Sequence, residues 1–234
     1  MQTKGVSMSS FKLSTQGAKL IKQYQIMAQE GFERTDGQKT PAEFAYNSFQ
    51  LKKFRHICKD YFVDNNIQTV LDYGGGGSDW SASNFDEINA MSAKQFFNVS
   101  SVTTFEPARE LDQKINSDAV VCIDVLEHIF IGDIANILYE LFSLANKLLI
   151  INVACYKAAA LLPNGENAHI TIRSPHWWKG AIDTVSSNYP NVQVLLICST
   201  HFNKGVIYEP HKYNDWLSSE TFEVQSKFRG FSMS

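Results

Sequence analysis

The chain has 234 residues, 44% of them hydrophobic and 19% charged, with a formal net charge of −3. That length suits one domain and leaves little room for two, and the apolar fraction is ample for a buried core. This net charge argues against a nucleic-acid partner, because binding a phosphate backbone needs a clustered basic surface.

Up to Leu20 there is no apolar run of signal-peptide length, so a cytoplasmic location is expected. From Ser14 to Glu30, Ala18, Ile21, Tyr24 and Ala28 share one helical stripe, and Gly31 suits a C-cap. Thr40-Pro41-Ala42-Glu43 then combines a Thr cap, Pro at the first helical position and Glu three residues after the cap. It predicts a second helix reaching about Phe62, with Leu51, Phe54, Cys58 and Phe62 facing inward. Residues 1–66 therefore read as a helical segment, either a lid over a site or a cover on a sheet face. Residues 67–212 read as the core and 213–234 as a tail.

From Thr69 the pattern becomes strand, glycine turn, strand, helix. Thr69 to Tyr73 is a short apolar strand followed by Gly74-Gly75-Gly76-Gly77, and Val102 to Phe105 is a second strand closed by Glu106-Pro107. Ala119 to Ile123 is continuously apolar, as a parallel strand covered on both faces should be. Asp133 suits the cap of a helix with Ile134, Ile137, Leu138 and Leu141 on one face, and Leu148 to Val153 is the next buried strand. The apolar run from Leu148 to Ala154 is far below the ~20 residues of a membrane span, so no membrane partner is expected. Ser174-Pro175 opens a further helix; Val192 to Ile197 and Gly205 to Tyr208 follow as strands joined by a connection too short for a parallel crossover. The expected fold is α/β: a doubly wound, Rossmann-like, mostly parallel sheet with an antiparallel edge strand. Cys58, Cys122, Cys155 and Cys198 are widely spaced, form no CxxC pair and read as reduced thiols.

Consecutive glycines after a buried strand suit a tight turn whose amides a ligand approaches closely. A G-x-G-x-x-G dinucleotide fingerprint starting at Gly74 would need glycine where Asp79 stands, and one starting at Gly75 would need it at Trp80. The missing third glycine disfavours a nicotinamide or flavin dinucleotide. Glu106, at the end of the second strand, is placed to accept hydrogen bonds from ribose hydroxyls.

In order, Val70-Leu71-Asp72-Tyr73-Gly74-Gly75-Gly76, Phe105-Glu106-Pro107-Ala108 and Asp118 to Ile129 (DAVVCIDVLEHI) resemble the motifs of the class I S-adenosylmethionine (SAM)-dependent methyltransferases. The resemblance covers Val70 to Tyr208. It implies SAM as cofactor, with Asp72, Tyr73, Gly74, Gly75 and Gly76 at the methionine end and Glu106 with Pro107 at the ribose. Asp124, Val125 and Leu126 would border the sulfonium and adenine. The segment Leu162 to His169 and the pair Trp177-Trp178 further resemble methyltransferases of glycans or nucleotide sugars. Two departures stand out. The stretch from Ser78 to Ser101 is longer than the family's, and the eleven residues between Glu106 and Asp118 leave room for a rudimentary third strand or none.

The expected partner is a small polar acceptor, a saccharide among the options, methylated on oxygen or nitrogen; a homodimer is left open. An oxygen acceptor needs a base, and the segment after Val153 should emerge beside the donor. His169 is the first candidate base, with Glu166 to position the acceptor and His128 as a second base. Tyr156, Asn167 and Trp178 are candidate acceptor contacts. Asp124, Glu127 and His128 also match a metal triad, but no metal is expected. Two other functions compete: a SAM-binding partner protein without catalysis, and a nicotinamide-dependent oxidoreductase.

Overall fold

Short, continuously apolar strands bury both faces only in a sheet covered by helices on either side. The computed structural model, which describes residues 12–47, 49–209 and 222–223, has this layering. Helix α1 (Thr15–Glu30) precedes a small hairpin, β1 (Phe32–Glu33) with β2 (Lys39–Thr40), and helix α2 (Leu51–Asp64). Then come β3 (Thr69–Tyr73), α3 (Ala93–Phe97), β4 (Ser101–Glu106), β5 (Leu111–Asp112) and β6 (Ser117–Ile123). Helix α4 (Ile134–Leu144) runs directly into β7 (Ala145–Ala154). Helix α5 (Pro175–Ser186), β8 (Gln193–His201), β9 (Lys204–Tyr208) and β10 (Phe222–Glu223) follow. Apart from β10, the tail over 213–234 lies outside the described residues. No described helix is long and apolar enough to cross a membrane.

The strand order is β10-β9-β8-β7-β6-β3-β4-β5. Strands β4, β3, β6, β7 and β8 are parallel. Strand β9 returns antiparallel on β8, as the short connection requires, and β5 pairs antiparallel with β4. The fold is thus the Rossmann-like α/β sheet expected, and the rudimentary third strand is the two-residue β5. The chain leaves β3 toward β4 on one side and comes back to β6 on the other. A crevice at the carboxyl ends of β3 and β6 is the consequence.

Alternation along the strands divides the core between the two faces. Leu71, Val120, Leu149 and Leu196 pack with Leu138 and Leu141 of α4 and Trp178 and Ile182 of α5. Val70, Val121, Ile150 and Leu195 meet the predicted stripe of α2, Leu51, Phe54, Cys58 and Phe62. The long stretch after the glycines thickens this second layer: Trp80, Phe85, Phe96 and Phe97 pack there, and the Phe62 and Phe97 rings lie 4.5 Å apart.

Two helix starts differ from expectation. Thr40-Pro41-Ala42-Glu43 opens only a single 3-10 turn, Ala42–Phe44, and α2 begins at Leu51. Tyr46 takes a left-handed backbone (φ 57°), and its carbonyl accepts a hydrogen bond from the Gly77 amide at 2.9 Å. The helix is given up there to close the glycine turn. Asp133 stands at the N-cap of α4 without a capping bond. Its carboxylate instead accepts from the Ser14 amide (2.9 Å) and hydroxyl (2.8 Å), fastening the start of α1.

Candidate functional site

At the end of β3 the main chain turns sharply through the glycines. Gly74 has φ +75°, and a Cβ there would lie 2.5 Å from Cγ2 of Val125. A Cβ on Gly75 would lie 2.4 Å from Oδ2 of Asp72. The turn is held by side chains and main chain alike. The Gly74 amide donates to the Phe105 carbonyl (2.7 Å), and the Gly76 amide donates to Oε2 of Glu106 (2.9 Å). Oε1 of Glu106 accepts from the Ala108 amide at 2.9 Å, so this carboxylate joins the ends of β3 and β4. Burial raises the pKa of Glu106, while these two amides and Arg109 oppose the rise.

Asp72 is buried beside the turn, and Nε1 of Trp80 donates to its Oδ2 at 2.8 Å. Burial pushes its pKa up to about 7; the indole bond pulls the other way and the Glu106 charge adds to the rise.

Between the turn, the strand ends and α1 lies a cavity of about 220 Å³. Asp72, Tyr73, Gly74, Gly75, Gly76, Glu106, Pro107, Asp124 and Val125 all line it. Leu126 does not; it is buried in the core beneath the end of β6. Leu13, Gly17, Leu20, Ile21 and Tyr24 form the opposite wall, so α1 walls the cavity while α2, apart from Leu51 at its start, covers the sheet face. Tyr46 also lines the cavity, whereas Lys52 pairs with Glu87 at 2.6 Å. Sequence reasoning missed Lys114 and Glu140 in the wall. The Tyr73 hydroxyl donates to Oε1 of Glu140 (2.7 Å), and the Lys114 ammonium reaches the same oxygen (2.5 Å). An acid on the inward stripe of α4, between Ile137 and Leu141, was the available signal.

A second group gathers beyond the ends of β6 and β7. Asp124 has a left-handed backbone (φ 61°), and Glu127 is fully buried, with Oε1 accepting from the Ala154 amide at 2.6 Å. Burial and the adjacent Asp124 carboxylate hold the Glu127 carboxyl well above the usual range. His128 borders the cavity; its Nδ1–H donates to the Ala168 carbonyl at 2.9 Å, and burial, with His169 beside it, pushes its pKa down to about 4. The His128 and His169 rings are 4.9 Å apart. His169 is buried, with Nδ1–H donating to the Tyr156 carbonyl at 2.5 Å, and the Tyr156 ring lies 5.8 Å from its own. Single ligand atoms of Asp124, Glu127 and His169 lie within 4.8 Å of one another.

Three expected contacts do not join this group. Glu166 is exposed in a turn, where its Oε2 accepts from Asn164 at 2.8 Å. Asn167 spends its side chain on the Ala158 amide and carbonyl (2.9 and 2.8 Å) and so shapes the loop. Trp178 is fully buried in the core, because the apolar stripe of α5 points it at the sheet; Trp177 is the exposed member of the pair. In comparisons with known proteins, no family model, no curated protein and no solved structure matches this chain.

Proposed function

We propose that the chain is a SAM-dependent methyltransferase acting on an oxygen or nitrogen of a small polar acceptor such as a sugar. One observation carries this reading: a cavity at the switch point joins a glycine turn without room for side chains to an acidic wall. Asp72, Glu106, Asp124, Asp133 and Glu140 line it. Among the described lining residues Lys114 is the sole Lys or Arg, and Glu140 already pairs with it. A nucleoside carrying a sulfonium and an ammonium gains from such a wall, whereas a dinucleotide pyrophosphate would meet carboxylates with no arginine to offset them.

In this reading Asp72 and the side-chain-free face of the glycine turn hold the methionine end, the Gly74, Gly76 and Gly77 amides being engaged by Phe105, Glu106 and Tyr46. Each Glu106 oxygen already accepts one amide, which orients the carboxylate and leaves lone pairs for the ribose hydroxyls. SAM supplies, when bound, a methyl carbon activated for in-line displacement, so alignment can provide most of the rate. Helix α1 closes the cavity from water. His128 is neutral at pH 7, and with Nδ1–H donated to Ala168 its Nε2 is left to receive the acceptor's proton.

Calorimetric titration with SAM, S-adenosylhomocysteine and NAD tests the reading. Both sulfur nucleosides are expected to bind and NAD is not; binding of NAD alone would overturn it. Glu106→Gln is expected to weaken SAM about tenfold, one charge-assisted hydrogen bond's worth. Labelled-methyl transfer to a panel of sugars and sugar nucleotides separates an enzyme from a SAM-binding partner protein.

A further inference from the structure

We infer that Asp124, Glu127 and His169 form a site for one divalent first-row metal ion at the acceptor edge of the cavity. The three side chains come from separate places: the end of β6, the 3-10 turn Leu126–His128, and the loop after β7. A ligand atom from each lies within 4.8 Å of the other two. Two further observations point to an ion.

The first is Glu127. It is fully buried; Ala154 satisfies Oε1, but Oε2 meets no donor among the described residues. Its close neighbour is the Asp124 carboxylate. A fully buried carboxylate oxygen without a donor, set beside a second carboxylate at the cavity wall, is a place that a cation satisfies. The second is the His169 tautomer. With Nδ1–H donated to the Tyr156 carbonyl, the lone pair sits on Nε2, and this backbone bond is the one a metal-binding histidine ordinarily carries. The ring is set in advance, because Asn167 Oδ1 accepts from the His169 amide at 3.1 Å while its amide group holds Ala158.

The donor set of two carboxylate oxygens and one imidazole nitrogen, without thiolate, suits Mn²⁺, Fe²⁺ or Zn²⁺. Three protein ligands leave positions open, and Asp124 also lines the cavity, so the cluster adjoins it. An ion there selects acceptors with an oxygen able to bind it, neighbouring hydroxyls above all. That role rests on the methyl-transfer reading; the ion site does not.

The test uses Mn²⁺ alone, titrated into the full chain after chelator treatment, with free Mn²⁺ counted by electron paramagnetic resonance. One Mn²⁺ per chain is expected, with ¹⁴N coupling from an imidazole in the spin-echo spectrum and a rise in melting temperature. Asp124→Asn, Glu127→Gln and His169→Gln preserve size and hydrogen bonding, and each should weaken binding at least about tenfold and abolish the thermal shift. Absence of Mn²⁺ binding, absence of nitrogen coupling in the unaltered chain, or binding unchanged in all three variants would overturn the site. SAM titration runs alongside: SAM binding without Mn²⁺ binding overturns the metal site alone. Mn²⁺ binding without SAM binding supports the metal site and overturns the methyl-donor reading.

Discussion

Asp72 is a carboxyl group in a place that disfavours its charge. Its folded pKa of about 7 lies above the ordinary 3.8, so between those values the native state holds a proton that the unfolded chain has released. The native state then binds more protons, and stability falls as pH rises through this window, reaching its low plateau above pH 7. Asparagine keeps the bond from Trp80 and cannot ionise. Asp72→Asn should therefore be more stable than the parent at pH 8, by about 4 kcal/mol at ~1.4 kcal/mol per pKa unit, and nearly equal to it near pH 4. Urea unfolding at the two pH values checks this. A bound cation favours the ionised form, so SAM affinity should rise about tenfold from pH 6 to pH 8 in the parent and stay flat in the variant. Asp72 and Glu106 were legible in the sequence because each ends a strand beside the glycine turn. Lys114 was not, and Glu140 only as an acid on an apolar stripe, since nothing in the sequence links the loop after β5 to α4. Trp178 was misassigned because two adjacent tryptophans do not say which faces the core.

At the scale of elements, parallel strands announced themselves through continuous apolar runs, whereas α2 misled. Its start signature at Thr40 is locally complete, yet a long-range bond from Gly77 to the Tyr46 carbonyl takes the segment for the turn. Local preference amounts to about 1 kcal/mol and tertiary contacts override it. The turn itself is constrained twice at Gly74, by its positive φ and by Val125. Gly74→Ala should cost about 3 kcal/mol: ~1–2 kcal/mol from the left-handed backbone and the remainder from the Cβ contact. Val125→Ala removes the contact but not the backbone cost. The double variant should thus be more stable than the sum of the single changes predicts by about 1 kcal/mol in a denaturant cycle. Strict additivity would show that the valine is not what crowds the turn.

Over the whole molecule, two large apolar clusters share the main sheet, and a third stands apart. Leu20 and Met27 of α1 meet Leu162 and Ala168 of the loop after β7, with no strand of the main sheet among them. Hydrogen bonds join its parts as well: the Tyr24 hydroxyl donates to the Ala168 carbonyl (2.7 Å), the Leu161 amide to the Glu33 carbonyl (2.8 Å), and the Thr35 amide to the Ala159 carbonyl (2.7 Å). Lid, hairpin and loop thus form one unit with its own small apolar cluster, which carries the cavity's outer wall and His169. Bonds such as Ser14–Asp133 and Gln25–Pro107 tie it to the rest of the molecule. Such a unit opens at lower free energy than the sheet. The sequence left α1 as either lid or cover, because a helical stripe does not say what it faces. Hydrogen exchange tests the division. Leu20→Ala should remove about 2 kcal/mol from this unit, near the low end for a buried leucine because the cluster is small. Exchange should then speed up together in 15–30 and 158–170, while β3, β6 and β7 keep their protection. On the proposed reading, in which SAM binds only with α1 closed over the cavity, SAM at a hundred times its Kd should return about 2.7 kcal/mol to the same amides. Uniform acceleration across the sheet would mean that α1 is part of the main core and that the cavity has no separately moving wall.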